Sequence, residues 1–380
     1  MMGRRQWGKQ VAFLWLGLAV LATSAAAGAL NWSRLGRLEG TTGPQPAVAA
    51  LVAHPTDPDV LYAGTWLTTE GADLIYRSAD GGATWEPAAA GLPTNLPANS
   101  GVNDLALHPA DPDVLYVALQ RRGLWRSDDG GASWQNANEG ALAADENVIA
   151  LAIDTEPPYA LYALSDDGLN VLNGDGPWKA MNRGLPNANT TVYNDITLDP
   201  TDPGTAYIAT NPNGLFRTTN GGRLWRSKND ELPGRTFNVQ GVTVAPSGEL
   251  FISMRGVGLL RSGNDGQTWA ASQMGITFTN TLFGTISAPM FDPADPQVAL
   301  VYNSDGIFRT ADGGATWARF TDGLSVTAVV TSLTFAPARP GVALVGTAIS
   351  GVWAAAEEEP DPPDPPDPPA RLLFMPMIRR

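Results

Sequence analysis

The octet SADGGATW at residues 78–85 returns, with small changes, along most of the chain. Related octets end at Trp134, Trp225, Trp269 and Trp317, and a worn copy, LNGDGPW, ends at Trp178. Successive tryptophans of this set are therefore 44 to 49 residues apart. A period of this length is typical of a repeat protein whose units are single supersecondary elements that bury their apolar faces against one another.

The residues of the octet explain how it can form a tight turn. An Asp or Asn five residues before the tryptophan can accept hydrogen bonds from backbone N–H groups of the turn, and the glycines allow positive φ. The tryptophan then starts the next strand and packs between units. We therefore assign structural roles to these residues of the five good copies: Asp80, Trp85, Asp129, Trp134, Asn220, Trp225, Asn264, Trp269, Asp312 and Trp317.

These octets resemble the Asp-box, or BNR repeat, of sialidase-like β-propellers. In that family the Asp-box is a structural turn on the face opposite the active site, so the resemblance implies a fold and says little about function. The resemblance covers residues 30–354. Proteins with such repeats include sialidases, sortilin-type receptors, a photosystem assembly factor, and xyloglucanases, which pair two propellers.

The units between the octets share a template of four short strands separated by Pro, Asp and Gly turns. The seventh unit has only three strands and no octet, whereas residues 30–40 match the outer-strand pattern and place Trp32 53 residues before Trp85. We therefore predict an all-β fold, a seven-bladed β-propeller over residues 30–354 whose last blade is closed by the N-terminal strand. The alternative is a six-bladed ring with an extra hairpin, in which Trp32 has no repeat role.

Both ends of the chain fall outside the repeats. Residues 1–29 have a basic start, an apolar run and a small-residue end, the three-part form of a signal peptide, with a retained membrane anchor as the alternative. Residues 355–370 form an acidic proline-rich linker that predicts an extended spacer. Residues 371–380 form a short apolar and basic C-terminal tail, which is either an attachment segment or a disordered end.

Charge and composition exclude several classes of function. The formal net charge is −14, which disfavours nucleic acid and anionic membrane as partners. The absence of cysteine excludes disulfides, thiolate metal sites and cysteine nucleophiles. We recognise no metal-binding or phosphate-binding motif and expect no metal and no cofactor. His54 and His108 share one repeat position before a proline and are interpreted as turn residues.

Loops on the face opposite the octets carry the candidate binding residues. In a propeller these loops join each outer strand to the next inner strand, and each second strand to the third. The candidates are Trp66, Glu70, Arg121, Arg122, Tyr193, Arg235 and Arg255. Such a mixture can bind a polar ligand or a protein, and each residue can equally belong to a solvated loop.

One position at the start of the inner strand departs from the repeat. Five units have a small residue there, and two have Asp104 and Asp195, each preceded by Asn. Two carboxylates at the mouth of the central channel can form the acid and base pair of a glycoside hydrolase. The alternative, which we prefer at this point, is that each Asp hydrogen-bonds the backbone of a neighbouring strand.

The arginines of this chain do not support a sialidase interpretation. Such enzymes hold the substrate carboxylate with three arginines, but Arg77, Arg126, Arg217, Arg261 and Arg309 all occupy one repeat position before the octet. They are template residues, and the N-terminal Arg-Ile-Pro motif of that family is absent.

The sequence favours a binding function over catalysis. We expect an exported, monomeric propeller, secreted or held at the cell surface through its termini, that acts as a non-enzymatic binding or scaffolding module for a protein or carbohydrate. The alternative is a glycoside hydrolase, sialidase-like or xyloglucanase-like, that uses Asp104 and Asp195.

Overall fold

The computed structural model describes residues 31–41, 44–66, 73–94, 96, 100–174, 176–234, 237–278, 285–325 and 328–356. The predicted signal peptide, most of the predicted linker and the predicted C-terminal tail lie outside these residues. Within them, the one helix is a three-residue 3-10 turn, Ala188–Thr190. Nothing helical in this part of the chain is long and apolar enough to cross a membrane.

The described residues form short strands separated by tight turns. In chain order the strands are β1 (Asn31–Arg34), β2 (Ala47–Ala53), β3 (Val60–Trp66), β4 (Ile75–Ala79), β5 (Glu86–Pro87), β6 (Val102–Leu107), β7 (Leu115–Leu119), β8 (Gly123–Ser127), β9 (Gln135–Asn136), β10 (Val148–Ile153), β11 (Leu161–Ser165), β12 (Gly168–Leu172), β13 (Lys179–Ala180), β14 (Val192–Leu198), β15 (Ala206–Asn211), β16 (Gly214–Thr218), β17 (Arg226–Ser227), β18 (Val239–Val244), β19 (Leu250–Met254), β20 (Gly258–Ser262), β21 (Ala270–Ala271), β22 (Met290–Phe291), β23 (Ala299–Asn303), β24 (Gly306–Thr310), β25 (Ala318–Arg319), β26 (Val330–Phe335), β27 (Ala343–Thr347) and β28 (Val352–Ala356).

The strands form seven antiparallel four-stranded sheets, the blades of a propeller. Blades 1 to 6 each use four consecutive strands, from β2–β5 to β22–β25, and blade 7 has the order β26-β27-β28-β1. In blade 7, Asn31 lies opposite Ala356 and Arg34 lies opposite Trp353. The predicted seven-bladed propeller, closed by the N-terminal strand, is therefore confirmed, and the six-bladed alternative is wrong. Closure leaves no open edge in the ring.

The core is divided among the contacts between neighbouring blades. Each of seven apolar clusters lies between two adjacent blades and contains or contacts one repeat tryptophan. Trp225 of blade 4 is 2% exposed, and its indole N–H donates to the Met181 carbonyl of blade 3 at 2.9 Å. Trp32 donates in the same way to the Phe320 carbonyl at 2.9 Å. The N-terminal strand thus closes the ring with the same packing unit as the other blades.

The octets form self-contained hydrogen-bonded turns. In the first, the Thr84 hydroxyl and N–H donate to the Asp80 carboxylate at 2.6 and 2.8 Å, and the Ser78 hydroxyl donates to it at 2.8 Å. These bonds lower the pKa of Asp80 to about 2, and matching bonds lower the pKa of Asp312 to about 2. Gly81 and Gly82 have φ of 70° and 92°, which the turn requires.

Candidate functional site

A β-bulge marks the start of six inner strands, at the end of the channel opposite the octets. In blade 2 the pairing shifts between Val102 and Asp104, and in blade 4 it shifts between Tyr193 and Asp195. A bulge adds one residue and re-aims the side chains beside it. Both Asp side chains lie at the wall of the central channel, where a cavity of about 430 Å³ is lined by Asp104, Asp195 and Tyr302.

Each of these carboxylates is hydrogen-bonded to backbone on both oxygens. Asp104 accepts from the N–H of Leu105 at 2.8 Å and from the N–H of Leu151, in the next blade, at 2.8 Å. Asp195 accepts from Ile196 at 2.8 Å and from Val242, again in the next blade, at 2.9 Å.

The preceding asparagines complete the contact between blades. Asn103 donates to the Val148 carbonyl at 2.7 Å, and Asn194 donates to the Val239 carbonyl at 2.6 Å. Each Asn-Asp pair therefore joins its inner strand to the inner strand of the next blade. This is the backbone-bonded arrangement that the sequence suggested, but it leaves both carboxyl groups at the channel wall.

Burial has the largest effect on the pKa values of the two channel carboxyl groups. It raises the pKa of Asp104 to about 6, against the opposing effect of the two backbone N–H bonds. Burial raises the pKa of Asp195 to about 7, and the negative charge of Asp104 contributes to that rise. Between these two pKa values Asp195 favours the protonated form and Asp104 the ionised form.

The channel opens into a polar groove on the same face, which we call the mouth groove. A cavity of about 490 Å³ shares Asp195 and Tyr302 with the channel and is also lined by Asn194, Gln240 and Asn303. A further cavity of about 330 Å³ adjoins it and extends along blade 6. The mouth groove consists of these two cavities, and Asp195 lies at its junction with the channel.

Blade 6 departs from the repeat where the mouth groove begins. Its inner strand, β22, has only two residues, and before it the chain is held by an isolated bridge between Ile286 and Asn303. The Ser287 N–H donates to the Tyr302 carbonyl at 2.9 Å, and the Tyr302 N–H donates to the Ser287 hydroxyl at 3.0 Å. The shortened strand leaves the space that the groove occupies. Burial, with a smaller effect of the charge on Asp195, raises the pKa of Tyr302.

A larger cavity, of about 560 Å³, lies away from the channel among the octets of blades 1 and 2. Its lining includes Asp80 and Asp129, whose carboxylates already accept hydroxyl and N–H bonds within their own turns. Those groups are structural, so we place the candidate site at the channel.

The predicted binding residues do not form one cluster. Trp66 is half-buried at the end of β3, with its indole N–H donating to the Val102 carbonyl at 2.8 Å. Arg121 and Arg122 lie in the β7–β8 turn of blade 2. Arg255 lies exposed in the β19–β20 turn of blade 5. Glu70 and Arg235 lie outside the described residues.

Tyr193 is part of the core, in contrast to its prediction as a binding residue. Its side chain is 2% exposed, and its hydroxyl donates to the Pro186 carbonyl at 2.8 Å. The physical reason is the bulge that follows it. Tyr193 occupies the position of Val102 and Val148, on the inward side of the blade, before the bulge changes the alternation.

Ser253, Gly241 and Tyr302 line the mouth groove and were missed by sequence reasoning. Ser253 lies within the apolar strand LFISM, and Tyr302 ends the apolar run ALVY, so both sequences indicate core. Comparison of the channel-mouth position with its partner on the second strand is the signal that finds Ser253. Among the described residues, no three His, Asp or Glu side chains form a group that could hold a metal ion.

Comparison with known proteins connects the fold to polysaccharide hydrolases. The chain is 28% identical over 304 residues to a xyloglucanase of Paenibacillus sp., covering 72% of this chain and 26% of that enzyme. It is 26% identical over 307 residues to a xyloglucanase of Acetivibrio thermocellus, covering 71% of this chain and 32% of that enzyme. The chain thus spans about a quarter to a third of the length of these curated relatives. No family model matches the chain.

Solved structures share the fold at lower identity. The GH74 xyloglucanase of Xanthomonas campestris superposes with a TM-score of 0.63 at 20% identity, over 86% of this chain and 53% of that one. YCF48 bound to D1 peptide superposes with a TM-score of 0.62 at 14% identity, over 86% of this chain and 97% of that one. These likenesses establish the propeller fold.

The expectation of a non-enzymatic binding or scaffolding module is wrong. The sequence relatives are glycoside hydrolases, which supports the alternative that uses catalysis. The octets that dominated the prediction form repeated turns at the outer edge, or rim, of the ring, so they carried no information about chemistry at the channel.

Proposed function

We propose that the chain is a glycoside hydrolase of the xyloglucanase type, with its active site at the channel mouth. The observation that carries this proposal is the 28% identity to a xyloglucanase over 304 residues, which span most of the propeller. The proposal extends to the substrate class, a neutral polysaccharide with a β-linked glucan backbone. It is supported by the two protonatable carboxyls that line one cavity, Asp104 and Asp195.

The chemistry requires one carboxyl that donates a proton and one that is ionised. With pKa values of about 7 and about 6, Asp195 is the acid and Asp104 the ionised partner near pH 6.5. Asp195 protonates the glycosidic oxygen as the bond to the sugar breaks. Asp104 supplies the negative charge that activates the attacking group or stabilises the positive charge on the sugar.

The backbone bonds hold these carboxyls in place for that chemistry. Each oxygen accepts one N–H, from a residue of its own strand or of the next blade. A carboxylate oxygen has a further lone pair, which stays available to a proton or a water molecule. A carboxyl group fixed between two blades reacts without first being ordered, which lowers the cost of the chemical step.

A neutral polysaccharide fits the electrostatics and the lining. The formal net charge of −14 repels polymers rich in uronic acids. The side-chain amides at the mouth groove each already make a hydrogen bond within the fold, and an amide group has further donor and acceptor capacity that suits sugar hydroxyls. These amides belong to Asn194, Gln240 and Asn303.

The proposal includes the place of action and the identity of the repeats. A polysaccharide does not enter the cell intact, so the enzyme meets it outside the cytoplasm. The signal-like pattern of residues 1–29 supports that location. The octet turns, with their shared Asp or Asn hydrogen bonds, support their assignment to the Asp-box class.

The test is release of reducing ends from purified xyloglucan by the purified chain. Mixed-linkage β-glucan and polygalacturonate serve as neutral and acidic comparison substrates. We expect release from xyloglucan, little from polygalacturonate, and loss of release in the Asp104→Asn/Asp195→Asn variant. A folded chain that releases nothing from any neutral polysaccharide contradicts the proposal.

A further inference from the structure

The channel-mouth position of blade 5 reverses the arrangement found in blades 2 and 4. There an Asp on the inner strand lies opposite an alanine on the second strand, Asp104 opposite Ala118 and Asp195 opposite Ala209. In blade 5 the inner strand has Gly241, and the polar residue, Ser253, lies opposite it on the second strand. In blade 5 the polar side chain is therefore on the second strand, opposite a glycine, whereas in blades 2 and 4 it is on the inner strand, opposite an alanine.

The Ser253 side chain is buried without a hydrogen-bond partner. Ser253 is 1% exposed, and its Oγ has no partner among the described residues. The serine at the channel mouth of blade 7 provides a contrast, because Ser332 donates to the Val48 carbonyl at 3.0 Å. An unpaired buried hydroxyl disfavours folding, and a ligand that supplies the missing bond offsets that cost.

Gly241 is the residue that lies between Ser253 and the mouth groove. Both residues line the groove beside Asp195. A Cβ atom on Gly241 would lie 3.2 Å from the Ser253 Oγ and 3.0 Å from the Ala288 Cβ. Any side chain at position 241 would therefore press against the Ser253 hydroxyl and cover it on the groove side.

We propose that the Ser253 hydroxyl, reached past Gly241, binds a hydroxyl group of the neutral sugar unit that sits beside Asp195. This inference rests on the proposed function and names a specificity-determining residue of the same site. A site with a buried hydroxyl left to be paired selects for sugars that present a hydroxyl at that point. A sugar unit lacking it leaves Ser253 unpaired and binds more weakly.

The experiment compares wild type with Ser253→Ala by calorimetric titration of a xyloglucan heptasaccharide, which is a product and is not consumed. We expect the dissociation constant to rise by about tenfold, the value of one hydrogen bond in a desolvated site. The melting temperature should stay the same or rise, because the substitution removes an unpaired buried hydroxyl. In hydrolysis, KM should rise while kcat changes less.

Two further variants separate binding from structure. Gly241→Ala should weaken heptasaccharide binding although Ser253 is present, because the added Cβ lies against the hydroxyl on the groove side. Ser332→Ala should lower the melting temperature, because it breaks the bond to the Val48 carbonyl. An unchanged dissociation constant in Ser253→Ala overturns the inference, and so does weaker binding that comes with a lower melting temperature.

The two proposals fail in different ways. If xyloglucan is cleaved and Ser253→Ala alters neither KM nor heptasaccharide binding, only the role of Ser253 is wrong. If the heptasaccharide binds through Ser253 and no polysaccharide is cleaved, only the hydrolytic activity is wrong.

Discussion

The aspartates of the octets, at the rim, and the aspartates of the channel have the same side chain, but their pKa values are shifted in opposite directions. Asp80 and Asp312, in the octets, have pKa values of about 2, whereas Asp104 and Asp195 have values of about 6 and about 7. Both groups accept backbone N–H bonds, which favour the ionised form. The rim carboxylates are exposed and receive hydroxyl bonds as well, while burial at the channel outweighs the backbone bonds.

The difference separates architecture from chemistry within one repeat. The rim aspartates recur with the octet and stabilise its turn. The channel aspartates break the repeat in two of the seven blades, and burial raises their pKa values. A repeat protein therefore exposes its functional positions as departures from its own template, provided that equivalent positions are compared across blades.

The largest expected effect is on catalysis, where a channel aspartate and a rim aspartate should differ in how much their loss lowers kcat. Asp195→Asn removes the proposed proton donor and should lower kcat on xyloglucan by about a hundredfold to ten-thousandfold. Asp312→Asn should leave kcat unchanged, because the octets of blades 4 and 5 already use Asn220 and Asn264 at this position. Kinetics of both purified variants, with circular dichroism to check folding, measure the difference. Equal losses in the two variants would remove the distinction.

Stability should depend on the rim tryptophans more than on any channel residue. Trp225→Ala removes a side chain that is 2% exposed between blades 3 and 4, and should reduce the free energy of unfolding by about 3–5 kcal/mol. Urea denaturation measures this change. The kcat of the fraction that stays folded should fall much less than in Asp195→Asn, because Trp225 itself does not line the channel cavity.

A milder pair of variants tests the indole hydrogen bond by itself. Trp225→Phe should destabilise the fold by about 1–2 kcal/mol through loss of the bond to the Met181 carbonyl. The indole N–H of Trp269 is buried without a partner among the described residues, so Trp269→Phe should cost less. A greater loss in Trp269→Phe than in Trp225→Phe would contradict the assigned bond.

The pH dependence of stability should have opposite signs for the two groups. The pKa of each channel aspartate is raised on folding, so its contribution is complete below about pH 3.8 and is lost as the pH rises through 6 to 7. The pKa of each rim aspartate is lowered, so its contribution is present above about pH 3.8 and is lost as the pH falls to 2.

Urea denaturation at a series of pH values measures these contributions. Asp104→Asn/Asp195→Asn should flatten the loss of stability between pH 4 and pH 8. Asp312→Asn should reduce the loss between pH 4 and pH 2. A double channel variant that keeps the wild-type slope above pH 4 would show that those carboxyls titrate normally.

Much of the architecture followed from the sequence because it is repeated. The octets set the period, and Trp32 revealed the closing strand, which packs as Trp225 does. The positions of Asp104 and Asp195 were also predicted, since alignment of the inner strands isolates them. A periodic feature can be recognised reliably because the same pattern occurs several times in one sequence.

The rest of the site was not predicted. Tyr193 was assigned to the loop before blade 4, although it aligns with the buried Val102 and Val148. Ser253 lies in an apolar strand, and its role as a candidate site residue follows only from its pairing with Gly241 on the neighbouring strand. The mouth groove itself arises from a shortened strand in blade 6, a property of the packed ring.

The pH dependence of kcat/KM for xyloglucan hydrolysis tests the channel pair most directly. We predict a bell-shaped profile with its maximum between pH 6 and pH 7. The acid limb should report ionisation of the group with a pKa near 6, and the basic limb should report loss of the proton from the group with a pKa near 7. Asp195→Asn should lose the basic limb together with most of the rate. A profile whose acid limb falls near pH 4 and whose basic limb is unaffected by Asp195→Asn would contradict the assignment of catalysis to the channel aspartates.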